Sequence, residues 1–284
     1  MSERISKYKT VRDWLQTKSL EGRSARTCEC YRQTVDRFGD YLGRDPWDAT
    51  TQECRSFLAF LQPNCSNVSI NNNRRNMNSY FAYLEDEDAI DKSPMRKIHH
   101  VKEDKHVKKP FSDEELERLN ESASTLKEKA IIAFLSTTAC RVGELVGVKI
   151  DDVDMQEREV KVFGKGGKER VTFFDAKTKL ALENYLAERN DDCPYLFVNS
   201  NSRAKHACTT GSIERIVSNI GKRAKVDNAH PHRFRRTVAT RAIDRGMPIE
   251  QVKELLGHSQ IQTTMIYATV STENVKASHR KYVS

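Results

Sequence analysis

"REVKVFGKGGKERVTFF", Arg158 to Phe174, decides the fold class. Its two arms, REVKVF and RVTFF, alternate apolar and polar residues as half-buried strands do. GKGGKE between them supplies the glycines of a tight hairpin turn. Two strands joined in this way run antiparallel. Nearly everything around them reads as helix, so the expected fold is mainly α with a small antiparallel β-sheet. Lys165 sits at the hairpin tip, where an ordinary lysine is simply solvated. The run GKGGK is not a phosphate loop, because that loop needs G-x-x-x-x-G-K-[ST] leading into a helix. This turn leads into a strand, so a nucleotide site is rejected.

Upstream, KEKAIIAFLSTTACRVGELVGVKIDDVD spans Lys127 to Asp154. Ala130 to Leu135 is apolar nearly all round, which predicts a buried helix. A second, short helix is expected around Gly143 to Val148. Arg141 falls at the turn between the two, and a charge in so apolar a setting needs a partner. Glu144, three residues on, is the candidate. FSDEELERLNES, from Phe111, carries a capping box in Ser112 and Glu115, with Phe111 as a hydrophobic staple. Downstream, KTKLALENYLAER, TGSIERIVSNIGKRAKV and FRRTVATRAIDRG read as helices, with CPYLFVNS as a short apolar run. In MPIEQVKELLGHS, Pro248 opens a helix and Gly257 stops it.

Before residue 96 the chain reads as helices alone. In TCECYRQTVDRFGDYLG, Tyr31, Val35, Phe38, Tyr41 and Leu42 share one helical face, and Gly43 ends it. SINNNRRNMNSYFAYLEDE places Asn71, Asn72, Asn73, Arg74 and Arg75 on a polar side. SPMRKIHHVKEDKHVKKP, Ser93 to Pro110, then gathers lysines, histidines and two prolines. This predicts three parts: a helical domain over 1–95, a basic linker over 96–110 and a second domain over 111–284. Lysines on such a strap follow a phosphate backbone without reading sequence.

The 284 residues hold 48 Lys and Arg against 40 Asp and Glu, a net charge of +8 that suits a polyanionic partner. No run approaches the roughly 18 apolar residues of a membrane span. The seven cysteines are scattered, with no pair spaced as zinc ligands, so reduced thiols in a cytoplasmic protein are expected. No carboxylate cluster offers a magnesium site.

Two further stretches carry candidate chemistry. In HPHRFRRTVATRA, His232 and Arg235 lie one helical turn apart, flanked by Arg233 and Arg236. In LLGHSQIQTTMIYATV, His258 follows the helix stop and Tyr267 comes nine residues later. Taken together, Arg141, Lys165, His232, Arg235, His258 and Tyr267 form a kit for attacking a phosphodiester without metal or cofactor. Arginine forks match the charged non-bridging oxygens. A tyrosine oxygen, with a reference pKa of roughly 10, attacks more readily beside a base. A lysine on a hairpin can protonate the leaving oxygen.

With these six residues in order, the chain resembles the tyrosine recombinases of the phage-integrase and Xer type. TACRVGELVGVKIDDVD resembles the first arginine motif, with Glu144 in its acidic place. GKGGKERVTFF resembles the β-hairpin with its lysine, PHRFRRTVAT the His-x-x-Arg box, and LLGHSQIQTTMIYATV the block holding the nucleophile. One departure stands at Arg236, where the family often has histidine. The resemblance implies a two-domain clamp on double-stranded DNA. It implies a 3′-phosphotyrosyl intermediate at Tyr267, recombination at a specific site, and a homotetramer on two sites, nucleoid-associated and free of membrane. Expected DNA contacts are Arg74, Arg75, Lys97, Lys102, Lys105, Arg233 and Arg236. A type IB topoisomerase shares the chemistry, and a regulator that binds without cleaving shares the fold.

Overall fold

The computed structural model describes residues 5–103, 109–164, 167, 169–199, 206–267 and 279–280. Lys165 and Lys105 lie outside the described residues. The chain divides into two compact units, residues 1–107 and 108–284. Among the described residues no helix is long and apolar enough to cross a membrane.

Among the described residues the first unit has four α-helices: α1 (Lys9–Leu20), α2 (Ala25–Leu42), α3 (Thr51–Leu61) and α4 (Asn67–Asp86). The stripe read from α2 buries Val35 and Phe38, and Gly43 ends the helix with φ of 72°. A side chain there would be strained, which is why glycine stops the helix cleanly. The core is aromatic. Trp14 stacks on Tyr31 at 5.0 Å and meets Tyr80 edge-on at 5.3 Å. Phe38 packs on Phe57 at 5.0 Å. Offset and edge-on pairs of this kind add to the burial itself.

The polar side expected of α4 is partly covered. Asn71 is fully buried, not solvated. Its amide donates to the Val101 carbonyl (2.8 Å) and to Glu103 Oε1 (2.7 Å), and accepts from the Val101 N–H (2.9 Å). A buried amide persists only when its groups are paired in this way. Arg74 is half-buried and donates to the Ile98 carbonyl at 3.2 Å. The cause is the stretch after residue 94. Met95 and Ile98 sink into the first unit's core, and the Lys102 carbonyl accepts from Asn67. The segment expected to start a linker at residue 96 is therefore docked on the first unit as far as Glu103.

The second unit opens with α5 (Asp113–Ser122), capped by the reciprocal Ser112 and Glu115 bonds that the sequence spelled out. Phe111 is buried and packs on Phe234 at 4.7 Å. α6 (Leu126–Thr138) buries every residue from Ala130 to Leu135 and packs against α8 (Ala176–Glu188) and α10 (Pro231–Asp244). α7 (Val142–Leu145) is a single turn. The sheet holds β1 (Val153–Asp154), β2 (Glu159–Phe163) and β3 (Glu169–Phe173), antiparallel in that order, with Lys161 opposite Val171. Val160, Val162 and Thr172 face the core. The Thr172 hydroxyl donates to the Thr138 carbonyl at 2.7 Å, which pins β3 to the end of α6. α9 (Thr210–Arg223), α11 (Ile249–Leu256) and α12 (Gln262–Met265) complete the unit.

Candidate active site

The end of α6 fixes the first arginine. Ala139 takes a left-handed conformation (φ 51°) and turns the chain into α7, with Arg141 as its N-cap. Glu144 is the partner of Arg141 twice over. One carboxylate oxygen accepts the Arg141 backbone N–H (2.8 Å), and the other accepts its guanidinium (2.7 Å). Glu144 is buried, which alone would favour its neutral form. The Arg141 N–H and then the charge of Arg170 outweigh that and hold its carboxyl below the usual range.

Pro231 starts α10, where its missing N–H costs no helical bond. The helix then turns Arg235 into the protein, 1% exposed, while His232 stays near the surface. The ring of His232 lies parallel to that of His230, centroids 6.5 Å apart. Arg235 Nη1 donates to the Ala139 carbonyl at 2.6 Å, and Nη2 meets the Leu256 carbonyl and His258 Nε2, the latter at 3.0 Å. Burial, followed by the nearby charge of Arg141, lowers the Arg235 pKa to about 10, so it stays cationic at neutral pH.

Gly257 ends α11 in the left-handed region (φ 59°) and hands the chain to His258. A guanidinium only donates, so His258 Nε2 must accept from Arg235. Its proton then sits on Nδ1, 2.9 Å from Thr264 Oγ1. Burial first, then the charges of Arg235, Arg141 and Arg170, push the imidazole down to about 4. The ring is neutral over the physiological range. Tyr267 stacks on it, centroids 6.3 Å apart and 21° from parallel. The tyrosine is buried at 5% exposure beside Ala139, Ala239, Val252 and Leu256.

Five of the six candidate residues thus have described positions, and all five border one place. Arg141, Arg235, His258 and Tyr267 are linked there directly or through Gly257, and His232 is close enough to disfavour a proton on His258. Two guanidiniums, those of Arg141 and Arg170, share the Glu144 carboxylate there, and Arg235 adds a third positive charge. The surplus positive charge suits an anion such as a phosphodiester, with a neutral imidazole against the tyrosine ring.

Comparison with known proteins places this geometry. The model of the Phage integrase family matches residues 95–274, and that of the phage integrase N-terminal SAM-like domain matches residues 11–91. The chain belongs to the phage integrase family. It is a tyrosine recombinase, an enzyme that cleaves and rejoins DNA strands. It is similar to the tyrosine recombinase XerA of Pyrococcus horikoshii, 30% identical over 264 residues, covering 92% of this chain and 89% of that protein. It is also similar to the tyrosine recombinase XerC of Staphylococcus saprophyticus, 30% identical over 267 residues and 89% of each chain. Among solved structures, the integrase of the Tn1549 transposon with transposon right end DNA shares the fold. Its TM-score is 0.76 at 19% identity, over 97% of this chain and 99% of that one.

Two residues that border this place went unread in the sequence. Arg170, on β3, donates to Glu144 Oε2 at 2.7 Å and to the Leu255 carbonyl at 2.5 Å. Its signal was phase: it points inward with Thr172, two residues on, where strand alternation places core residues. Thr264, buried against His258, had only its spacing from the histidine to mark it. Arg233, expected on DNA, is engaged within the second unit. It binds Glu115 at 2.7 Å and the carbonyls of Asp227, Pro110 and Lys109, with its guanidinium 4.1 Å above the Phe111 ring.

Proposed function

We propose that the recombinase acts at specific DNA sites by attack of Tyr267 on a backbone phosphate. The attack forms a 3′-phosphotyrosyl bond and releases a 5′ hydroxyl. The hydroxyl of a partner strand then displaces the tyrosine, so the bond energy is conserved without ATP. Arg141 and Arg235 clamp the non-bridging oxygens, where charge builds in the transition state. His258 accepts the tyrosine proton or orients its oxygen, His232 contacts the phosphate, and Lys165, which falls between β2 and β3 in the sequence, protonates the leaving oxygen. Glu144 keeps Arg141 in place. The observation that carries this reading is the Arg235–His258–Tyr267 stack. A buried, charged guanidinium holds a neutral imidazole against the Tyr267 ring.

The first unit is the natural second jaw on DNA. Arg75, Lys97 and Lys102 are exposed on it, and Lys105 follows in the sequence. Arg74 is committed in part to Ile98. Arg236, half-buried near Tyr267, is offered to the phosphates as well. Arg233 is left out of this set, because its guanidinium is taken up by Glu115 and three carbonyls. Four copies acting on two such sites are what the resemblance to the integrase and Xer recombinases implies.

Covalent capture tests the reading. Wild type and Tyr267→Phe are mixed with nicked duplexes of random flanks, denatured and recovered with any attached DNA. Adducts on one shared motif, from wild type alone, are expected. An adduct that survives Tyr267→Phe moves the nucleophile elsewhere, and adducts without a motif point to relaxation rather than recombination.

A further inference from the structure

The last turn of α11 meets three guanidiniums in a row. Arg170 from β3 takes the Leu255 carbonyl, Arg235 from α10 takes the Leu256 carbonyl, and Arg141 from the start of α7 reaches the Gly257 carbonyl at 3.3 Å. His258 follows immediately. Arg170, like Arg141 and unlike Arg235, turns its second terminal nitrogen to a carboxylate. It binds the same Glu144 that holds Arg141, so one buried carboxylate lies between two arginines. The contact is close-packed. A Cβ on Gly257 would lie 2.7 Å from Arg170 Cδ, so glycine there makes room for this side chain. Thr172 anchors the same strand to the end of α6, from which Arg141 departs.

We propose that Arg170 is a positioning residue for strand cleavage, registering Arg141 and the His258 turn against one another through Glu144 and the Leu255 carbonyl. It touches no substrate. Without it, Glu144 is free to swing on Arg141 alone, and the end of α11 loses the tie nearest the hairpin. The two arginines of the clamp then no longer keep one geometry. A lysine keeps the charge but lacks the planar fork that reaches a carboxylate and a carbonyl at once. The proposal rests on the reading of Arg141 and Tyr267 given above.

The test separates the two. The probe is a pool of nicked duplexes with random flanks, made with either an ordinary phosphate or a neutral methylphosphonate at the position to be cut. The methyl group removes one negative charge from the transition state, so cleavage then depends less on the arginine clamp. Arg170→Gln should form adducts about 100-fold more slowly on the ordinary phosphate. That loss should shrink on methylphosphonate, as it should for Arg141→Ala, with Arg170→Lys in between. Thermal melts set the folded fraction, and if Arg170→Gln does not fold, Arg170→Lys carries the same comparison. Wild-type rates from the Arg170 variants overturn the proposal. So does a loss equal on both phosphates while the loss of Arg141→Ala shrinks. No adduct from wild type, or an adduct from Tyr267→Phe, overturns the underlying reading and the proposal with it.

Discussion

Arg233 and Arg235 leave α10 on opposite sides, about 200° apart around a helix of 3.6 residues per turn. Their partners differ in kind. Arg233 has a carboxylate, Glu115, and an aromatic ring beneath it. Burial works against the Glu115 charge, but the Ser112 N–H and Arg233 hold that carboxyl below its usual range. The charge on this side is cancelled locally, and the arginine serves the fold. Among the described residues, the hydrogen bonds of Arg235 go to two carbonyls and an imidazole. None of these carries a full negative charge. One helix thus makes a structural tie on one side and presents an uncancelled cation on the other. Exposure alone would have assigned the roles the other way round, since the buried arginine is the one the proposed reaction uses.

The sharpest way to break that contrast is Arg235→Ala. Loss of a clamp donor should slow adduct formation about 100- to 1,000-fold, read by single-turnover cleavage of nicked duplexes. Cleavage near the wild-type rate would put Arg235 on the same footing as its neighbour. Arg233→Ala should do the reverse. We expect about 2 kcal/mol less stability in urea melts, from the lost charged hydrogen bonds, with cleavage per folded molecule unchanged. A folded but inactive Arg233→Ala would return that residue to the DNA contacts.

A smaller effect follows from the neutral histidine. In the folded protein His258 takes up a proton only near pH 4, against 6.5 ordinarily. As pH falls below 6.5 the unfolded chain protonates this residue first, so its proton favours unfolding. The contribution is flat above about 6.5, erodes between there and about 4, and levels off below. Melts of wild type from pH 7.5 to 4 should carry this slope, and His258→Gln should reduce it. An unchanged slope would mean that the imidazole is not held by Arg235 as described.

Much of this was legible in the sequence because it is local. Strand alternation gave β2 and β3, Gly43 and Gly257 gave helix ends, and Ser112 with Glu115 gave a start. Arg141 and Glu144, three residues apart, could be paired from spacing alone. What escaped was set by contacts distant along the chain. Asn71 looked solvated because its neighbours are polar, yet its partners are Val101 and Glu103. Arg233 looked free because Glu115 lies 118 residues away along the chain. Arg170 looked like any strand charge, and only the meeting of β3 with α7 and α11 gives it work. Periodicity describes which way a side chain points, not what arrives to meet it.

The way Arg235 is held has a consequence of its own. Ala139 caps the end of α6, and Leu256 is the last residue of α11. The guanidinium therefore sits where two helices present their spare carbonyls, each helix end worth about half a negative charge. Helix ends cannot be protonated, so this grip does not slacken in mild acid as a carboxylate's would. Nor can they form a true ion pair. The cation is anchored by dipoles and keeps its formal charge for whatever anion enters.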